Sequence, residues 1–329
     1  MSLLCQNAHN LLSLRGFGLA LLLKIYCMRK KYCLLVLFFL HQVLGYGQVP
    51  DTDIYLLPLH VEQKGAAVLG VPQNITQRKG YDNQVCFASN DQFVLYTVMD
   101  ENGKTDTYRY DLNTRTTQRY TLTDSTAEYS PKPTPDGKHF WTVVIEPDGK
   151  TQHIRLYDLV QPTTEGVLWQ KNIANIGYYC PFDKDTMAVF VLGEPPTLQL
   201  ISRLDTVGQI IAARIGRCLQ KAPNSNKLSF VQEFPNGKKN IKIADLHTFD
   251  TQTIAPLIEG GSEDYVWLPN GCLLIGDAAG KLHLFDPKQK QKQKKWRQIA
   301  DLSQYGVSNI SRMAVSNNGK WLAIVAIPK

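Results

Sequence analysis

The pattern of apolar and polar positions predicts short β-strands along most of the chain. Apolar runs of about four to seven residues are separated by Gly, Pro, Asn and Asp, which favour turns, and helical periodicity is almost absent after residue 48. The first group of strands is predicted at Gln84–Phe87, Phe93–Val98, Thr107–Asp111 and Thr117–Leu122. The chain is therefore expected to belong to the all-β class.

The same order of strands and turns recurs, which indicates an internal repeat. A tight turn that separates the first two strands of each unit is rich in residues that tolerate positive φ. These turns are Ser89-Asn90-Asp91, Pro135-Asp136-Gly137-Lys138, Asp183-Lys184-Asp185, Pro223-Asn224-Ser225-Asn226-Lys227, Pro269-Asn270-Gly271 and Asn317-Asn318-Gly319-Lys320. The second strands are continuously apolar and the third strands alternate, so the second strands are expected to be more deeply buried.

The repeat length predicts a closed ring of blades. Residues 81–306 contain five units of about 45 residues each, as expected for the four-stranded blade of a propeller. A sixth unit begins at Ser308 but supplies only two strands. Residues 53–71 can supply its third and fourth strands, with Ile324 expected to pair with the strand that contains Tyr55. We predict a six-bladed β-propeller of four-stranded antiparallel blades, the last closed by both termini; seven blades and an open sandwich are the alternatives.

One repeat resembles a known family. Residues 129–140, from Tyr129-Ser130-Pro131 to Gly137-Lys138-His139-Phe140, are similar to the WD-repeat-like S-P-D-G-K repeat of TolB-type propellers, and residues 87–93 and 316–322 are weaker copies. The resemblance implies a six-bladed, exported and often periplasmic protein that binds other proteins or small ligands. About 35 residues separate Gly45 from Tyr81, and we therefore expect no counterpart of the α/β domain that precedes the propeller in TolB itself.

The N-terminal residues have the order of a secretion signal. Arg29–Lys31 is cationic, Tyr32–Leu40 is an apolar run too short to span a bilayer, and Gly45-Tyr46-Gly47 places small residues where a signal peptidase requires them. We predict a signal peptide at residues 28–47, cleaved after Gly47. The mature protein would then be exported to the periplasm or the extracellular space, with no transmembrane span.

Two further expectations concern the chain boundaries. Residues 1–27 are interpreted as a possible over-long start, because Met28 gives the better beginning for a signal peptide. Residues 48–329 are predicted to form a single propeller domain. The alternative is a membrane anchor that includes Leu19–Tyr26, although Lys24 and the cationic cluster interrupt that longer apolar stretch.

The net charge of +7 does not indicate a nucleic-acid partner. Residues 1–47 contain five basic and no acidic residues, and the remainder has 31 basic against 29 acidic residues, a net charge of +2. The sharpest local feature is the run from Lys288 to Arg297, between the third and fourth strands of blade five. It is either a local anion-binding segment or a solvated hairpin tip.

Sequence motifs for catalysis or metal binding are missing. Gly260-Gly261-Ser262-Glu263-Asp264 lacks the final glycine of a serine-hydrolase elbow, and no phosphate-binding loop occurs. Cysteines 86, 180, 218 and 272 are far apart, so no zinc site is indicated and their disulfide state is left open. The mature histidines are scattered over different predicted strands, which makes a metal-dependent lyase the less favoured interpretation. We therefore predict no catalytic residue, no metal and no cofactor.

The loops that lead into the first strands offer a candidate binding site. In a propeller these loops converge around the mouth of the central channel, where tyrosines and carboxylates could bind a sugar, a peptide or a cation. The predicted site comprises Tyr81, Asp82, Glu128, Tyr129, Asp264 and Tyr265, and the loop at Gly177-Tyr178 has the same character. Its three carboxylates predict a locally acidic mouth that favours neutral sugars, basic peptides or calcium. The alternative is that these tyrosines pack between blades.

The sequence is most consistent with a binding protein. We expect an exported, non-catalytic, monomeric propeller that binds an envelope protein or a glycan or peptide ligand and no nucleic acid. The alternative is a carbohydrate-active enzyme, a polysaccharide lyase or hydrolase, with an axial site.

Overall fold

The computed structural model describes residues 49–63, 65–68, 70–290 and 295–328. The predicted signal peptide at 28–47, the possible over-long start at 1–27 and the centre of the lysine-rich run lie outside these residues. Residues Pro50–Lys329 constitute one compact unit. The helical structure of the described chain is limited to one 3₁₀ turn, Ser303–Tyr305, and no described helix is long and apolar enough to cross a membrane.

The described residues form six antiparallel sheets; each has four strands in line, and the closing sheet has one further short strand. The closing sheet uses β1 (Asp53–Glu62), β2 (Gly65–Val68) and the short β3 (Gln73–Asn74). Blades 1 and 2 comprise β4 (Asp82–Phe87), β5 (Phe93–Met99), β6 (Thr105–Asp111), β7 (Thr117–Arg119), β8 (Ala127–Pro133), β9 (His139–Ile145), β10 (Gln152–Asp158) and β11 (Val167–Leu168). Blades 3 and 4 comprise β12 (Ile176–Pro181), β13 (Thr186–Val191), β14 (Thr197–Ser202), β15 (Gln209–Ala213), β16 (Ile215–Lys221), β17 (Lys227–Glu233), β18 (Lys239–Asp245) and β19 (Thr251–Pro256).

The remaining strands complete the ring. Blade 5 comprises β20 (Gly261–Trp267), β21 (Leu273–Asp277), β22 (Lys281–Phe285) and β23 (Arg297–Asp301). Blade 6 joins β24 (Val307–Val315) and β25 (Trp321–Pro328) to the N-terminal strands in the order β24, β25, β1, β2, with β3 also paired to β1. The predicted six-bladed, all-β propeller is thereby confirmed.

The second strand of each blade is the most deeply buried, as its apolar composition predicts. In β9, the side chains from Phe140 to Val144 are all buried, and β25 is buried from Leu322 to Ala326. A second strand has hydrogen-bonded neighbours on both edges and packed blades on both faces, so both of its side-chain faces become apolar. The apolar clusters accordingly lie between successive blades, such as the cluster around Trp141 and Tyr179 between blades 2 and 3.

The termini close the ring in the predicted register. Tyr55 of β1 is the partner of Ile324 in β25, and β2 pairs with the outer edge of β1. Asp53 strengthens this closure because its carboxylate accepts hydrogen bonds from Asn74 (2.6 Å) and Thr76 (2.9 Å). Side chains of β1 and β25 then pack on blade 1 in one apolar cluster, so the terminal strands also connect blade 6 to blade 1.

The predicted strand ends differ from the observed ones by a few residues. The first strand begins at Asp82 and not at Gln84, and the fourth ends at Arg119 and not at Leu122. The fourth strand is shorter because Thr121 leaves the blade edge to bridge to Thr163 and to hydrogen-bond the carboxylate of Asp106 at 2.9 Å. The predicted hairpin turns do use positive φ, including Gly137 at 67° and Gly319 at 69°.

Removal of the closing strands is expected to prevent folding. Deletion of residues 50–76 removes the partners of β25 and exposes its hydrogen-bonding edge, so the variant should be insoluble or lack the far-UV circular dichroism of a β-protein. Within the same segment, Leu57→Ala should cost about 2–5 kcal/mol of unfolding free energy because Leu57 is fully buried. The exposed Val71 provides the matched control, since Val71→Ala should change stability by less than about 0.5 kcal/mol. A soluble deletion variant with an unchanged melting temperature would contradict the closure.

Candidate functional site

A cavity of about 240 Å³ lies on the propeller axis. Its walls come from the first strand of every blade, together with the turn residue Asn317. Representative lining residues from blades 1 to 6 are Gln84, Lys132, Tyr178, Arg217, Asp264 and Arg312. Ring closure therefore brings together side chains that are separated by more than 200 residues in sequence.

Tyr178, Arg217, Asp264 and Arg312 line this cavity, and Tyr81 and Tyr129 lie within electrostatic range of them, so each blade contributes one polar or aromatic side chain to the group. We call this set the axial ring; it consists of Tyr81, Tyr129, Tyr178, Arg217, Asp264 and Arg312. Burial raises the pKa of the Tyr81 hydroxyl to about 12, and the charges and hydroxyls that act on it belong to Arg312, Tyr178, Tyr129 and Arg217. These groups are therefore close enough to influence one another electrostatically.

The acidic member of the axial ring is bound by two arginines. The Oδ2 atom of Asp264 lies 2.7–2.8 Å from the guanidinium of Arg217, and its Oδ1 atom lies 3.2 Å from Nη1 of Arg312. Although burial alone would lower the pKa of Arg312, the Asp264 carboxylate and the hydroxyls of Tyr178 and Tyr81 raise it above its usual range. Arg312 is thus held as a cation in the ring.

Tyr178 connects this charged group to the aromatic part of the ring. Its hydroxyl accepts a hydrogen bond of 3.2 Å from Nη2 of Arg312, whose guanidinium carbon lies 5.2 Å from the centre of the Tyr178 ring. The same ring packs edge-on against Phe190 at 5.7 Å. Because Tyr178 is held by an arginine on one side and a phenylalanine on the other, its orientation is restricted before any ligand binds.

The bulges of the first strands set the direction of these side chains. Gln84 and Ser130 both have positive φ, at 57° and 54°, where the first strands of blades 1 and 2 shift register against their neighbours. The Oε1 atom of Gln84 accepts hydrogen bonds from the backbone N–H of Ser130 (2.8 Å) and the hydroxyl of Thr97 (2.9 Å). This contact ties blade 1 to blade 2 next to the axis.

Three of the predicted site residues occupy the ring and three are buried elsewhere. Tyr81, Tyr129 and Asp264 are members of the axial ring. Their sequence neighbours Asp82, Glu128 and Tyr265 expose 0% of their surface. Successive side chains of a strand point to opposite faces, so the two members of each predicted pair cannot reach the same place.

The buried carboxylates have internal partners. Nε and Nη2 of Arg78 lie 3.0 and 2.8 Å from Oδ1 of Asp82, and burial raises the pKa of Asp82 to about 6 despite this cation. Glu128 accepts hydrogen bonds from Thr123 and Thr126, and burial raises its pKa as well. The expectation of an acidic mouth built by three carboxylates is therefore wrong: two of them are enclosed, and the third is bound to two arginines.

Sequence reasoning missed Arg217 and Arg312. Both lie about six positions before the hairpin turn of their blade, as Tyr129 does, and this spacing could have identified them. The predicted site was restricted to tyrosines and carboxylates at this repeat position, and the arginines at the same position in blades 4 and 6 were not included. With both arginines and Lys132 against Asp264, the lining of the axial cavity carries more positive than negative charge.

The other titratable residues do not assemble into a metal site in the part of the chain that the structure describes, where no group of three His, Cys, Asp or Glu side chains could hold an ion. His153 and His283 instead contact the carboxylates of Glu146 and Asp277, at 3.2 and 2.8 Å. Cysteines 86, 180, 218 and 272 are free thiols.

The comparisons with known proteins are consistent with the architecture. Neither a protein-family model nor a curated protein matches the sequence. Among solved structures, a protein assigned as TolB from Agrobacterium tumefaciens is 13% identical, with a TM-score of 0.62 over 85% of this chain and 99% of that one. TolB from Acinetobacter baumannii is 14% identical, with a TM-score of 0.53 over 87% and 67%. Oligogalacturonate lyase from Vibrio parahaemolyticus is 14% identical, with a TM-score of 0.51 over 80% and 83%. The chain thus has the TolB-type six-bladed propeller fold.

Asp264 is expected to stabilise the ring through its two arginines. Asp264→Asn leaves the largely buried Arg312 without a counter-ion, so the free energy of unfolding should fall by about 3 kcal/mol. Denaturant unfolding monitored by tryptophan fluorescence measures this change. Glu101→Gln, which removes the same charge from an exposed turn, should alter stability by less than about 0.5 kcal/mol. Equal stabilities of the two variants would contradict the structural role of Asp264.

Proposed function

We propose that this protein is an exported, non-catalytic propeller that binds a protein or a small ligand of the cell envelope at its axial ring. The observation that carries the proposal is the convergence of Tyr178 and an Arg–Asp–Arg group, from four blades, on a single cavity, with Tyr81 and Tyr129 within electrostatic range of them. Tyrosine and arginine are the side chains most often found at the energetic centre of binding sites.

The chemistry of the ring favours binding over catalysis. A general acid or base needs a titratable group that is free to exchange a proton with a substrate. The two oxygens of Asp264 are each occupied by an arginine, and arginines do not give up protons at physiological pH. The ring can therefore hold a ligand by stacking, hydrogen bonding and charge; its other titratable groups are tyrosine hydroxyls, and burial raises the pKa of the Tyr81 hydroxyl to about 12.

A carbohydrate-active enzyme is the second candidate. It is favoured by the likeness in fold to oligogalacturonate lyase, and by a cavity whose lining carries more positive than negative charge and would suit an acidic sugar. Purified protein incubated with polygalacturonate should release no unsaturated product if the binding proposal is correct. Turnover that disappears in a variant of the axial ring would instead support the enzyme.

Export rests on the order of charged, apolar and small residues at 28–47. Mass spectrometry of the mature protein should find Gln48 as its first residue. A secreted form that retains Met28 would contradict cleavage, and accumulation of the full chain in the cytosol would contradict export.

Partner capture tests the binding proposal directly. Immobilised protein is incubated with an envelope extract and, in parallel, on a glycan array. Tyr81→Ala combined with Tyr129→Ala should reduce capture at least tenfold, because each change removes aromatic contact area from the ring. Tyr305→Ala, which truncates an exposed tyrosine outside the ring, should capture as well as the unmodified protein.

Melting temperatures separate loss of binding from loss of folding. The double variant is expected to remain folded, because both tyrosines are only half-buried. If the unmodified protein captures nothing in either assay, or the folded double variant captures normally, the axial ring is not the binding site. Unfolding of the double variant would mean that these tyrosines serve to pack the blades together.

A further inference from the structure

The axial cavity contains a lysine without a carboxylate partner. Lys132 lies on β8, half-buried, with its ammonium 5.4 Å from the centre of the Tyr179 ring. Among the residues that the structure describes, no carboxylate lies within ion-pair distance of this ammonium. A partly desolvated ammonium without a counter-ion is unfavourable, and an incoming anion would relieve that cost.

A second unsatisfied donor lies on the same side of the blade. Trp141 is the cross-strand partner of Lys132, so the two side chains project from the same face of the sheet. The indole N–H of Trp141 is buried and finds no acceptor in the described part of the chain. An indole N–H can only donate a hydrogen bond. Two neighbouring donors that lack acceptors match a group that is rich in acceptor oxygens.

Both side chains line open space. Trp141 lines a second axial cavity of about 200 Å³, which adjoins the first and shares Cys86, Phe87, Lys132 and Asn317 with it. Lys132 therefore stands where the two cavities meet. The one acidic residue that lines the second cavity is Asp183, which is exposed and accepts the backbone N–H of Asp185 at 2.8 Å. The channel next to Lys132 thus remains a region that attracts anions.

The number of free charges selects the kind of anion. Arg217 and Arg312 are both committed to Asp264, which leaves Lys132 as the cation of the channel lining that no carboxylate neutralises. One free positive charge matches a carboxylate, whereas a phosphate monoester carries a charge of about −1.5 to −2 at neutral pH. Cavities of this size are small for ligand sites, which commonly measure about 300–1,000 Å³. They suit a group about as large as one sugar ring.

We propose that the axial channel binds the carboxylate of a small ligand, about as large as a single uronic acid ring, with Lys132 as the counter-ion and the Trp141 N–H as a hydrogen-bond donor. Tyr178, the tyrosine of the axial ring that lines the first cavity, provides a flat surface for the remainder of such a sugar ring. This inference rests on the proposed binding function and specifies the class of its ligand.

Cys86 reports on the charge beside Lys132. It lines both cavities and is partly exposed, while the other described cysteines are buried. The full chain is treated with two thiosulfonate reagents of similar size, anionic sulfonatoethyl and cationic trimethylammonioethyl methanethiosulfonate, and modification is followed by mass spectrometry. The ratio of the two rates is independent of how far the thiol is ionised. A Cys86→Ser variant gives the background from the other cysteines.

We expect the anionic reagent to modify Cys86 faster, and Lys132→Met to lower the ratio of anionic to cationic rates by roughly tenfold. Met preserves most of the apolar stem, so the fold should be retained. Lys150→Met removes the same charge from an exposed hairpin and should leave the ratio unchanged. A ratio that is the same in the Lys132 variant and the unmodified protein would overturn the assignment of Lys132.

Competition identifies the ligand class. Glucuronate should slow modification of Cys86 by a neutral reagent, N-ethylmaleimide, whereas glucose, which replaces the carboxylate by a hydroxymethyl group, should not. The protection should disappear in Lys132→Met. Equal protection by glucose, no protection by glucuronate, or stronger protection by glucose 6-phosphate would overturn the carboxylate assignment. These readouts do not depend on partner capture, so this inference and the proposed function can fail separately.

Discussion

The pairing of β1 with β25 is the constraint on which the rest of this structure depends. A propeller blade offers an unpaired edge and two apolar faces, and neither is stable in water unless the ring returns to its starting point. Here the N-terminal strand supplies the outer neighbour that β25 lacks and, through Ile54 and Leu56, part of the apolar contact with blade 1. Closure therefore determines the radius of the ring, and with it the distance between first strands on opposite sides of the axis.

Because the radius is small, side chains from different blades come within hydrogen-bonding distance of one another at the axis. Arg217, Asp264 and Arg312 belong to three different blades, yet they form one ion-paired cluster because their strands converge on the axis. An exposed ion pair contributes little to stability, but Asp264 and Arg312 are largely enclosed and depend on one another. The same enclosure orients Tyr178, so the axial ring is ordered by the fold before a ligand arrives.

The distribution of charge decides what the channel can accept. Two carboxylates near the first strands are buried with internal partners: Asp82 forms an ion pair with Arg78, and Glu128 accepts hydrogen bonds from two threonines. The charge of Asp264, at the axis, is neutralised by arginine. Basic side chains remain in the lining of the cavity, and Lys132 has no acidic neighbour among the described residues. A channel of this kind attracts anions and offers aromatic surface, which is a binding property that requires no reactive group.

Local sequence determined the strands, the hairpins and their number, because alternation, apolar runs and turn residues act over a few positions. It also determined the closure, since a sixth unit with two strands at one end and two unassigned strands at the other leaves one arrangement that satisfies every edge. The tertiary structure alone decided which member of each pair reaches the axis. Tyr81 does and Asp82 does not, because strand bulges and twist set the direction of each side chain. The ion pairs between blades could not be predicted from the sequence either. Asp264 contacts Arg217 and Arg312 only once the ring is closed, so these contacts are a property of the closed ring and not of any single repeat.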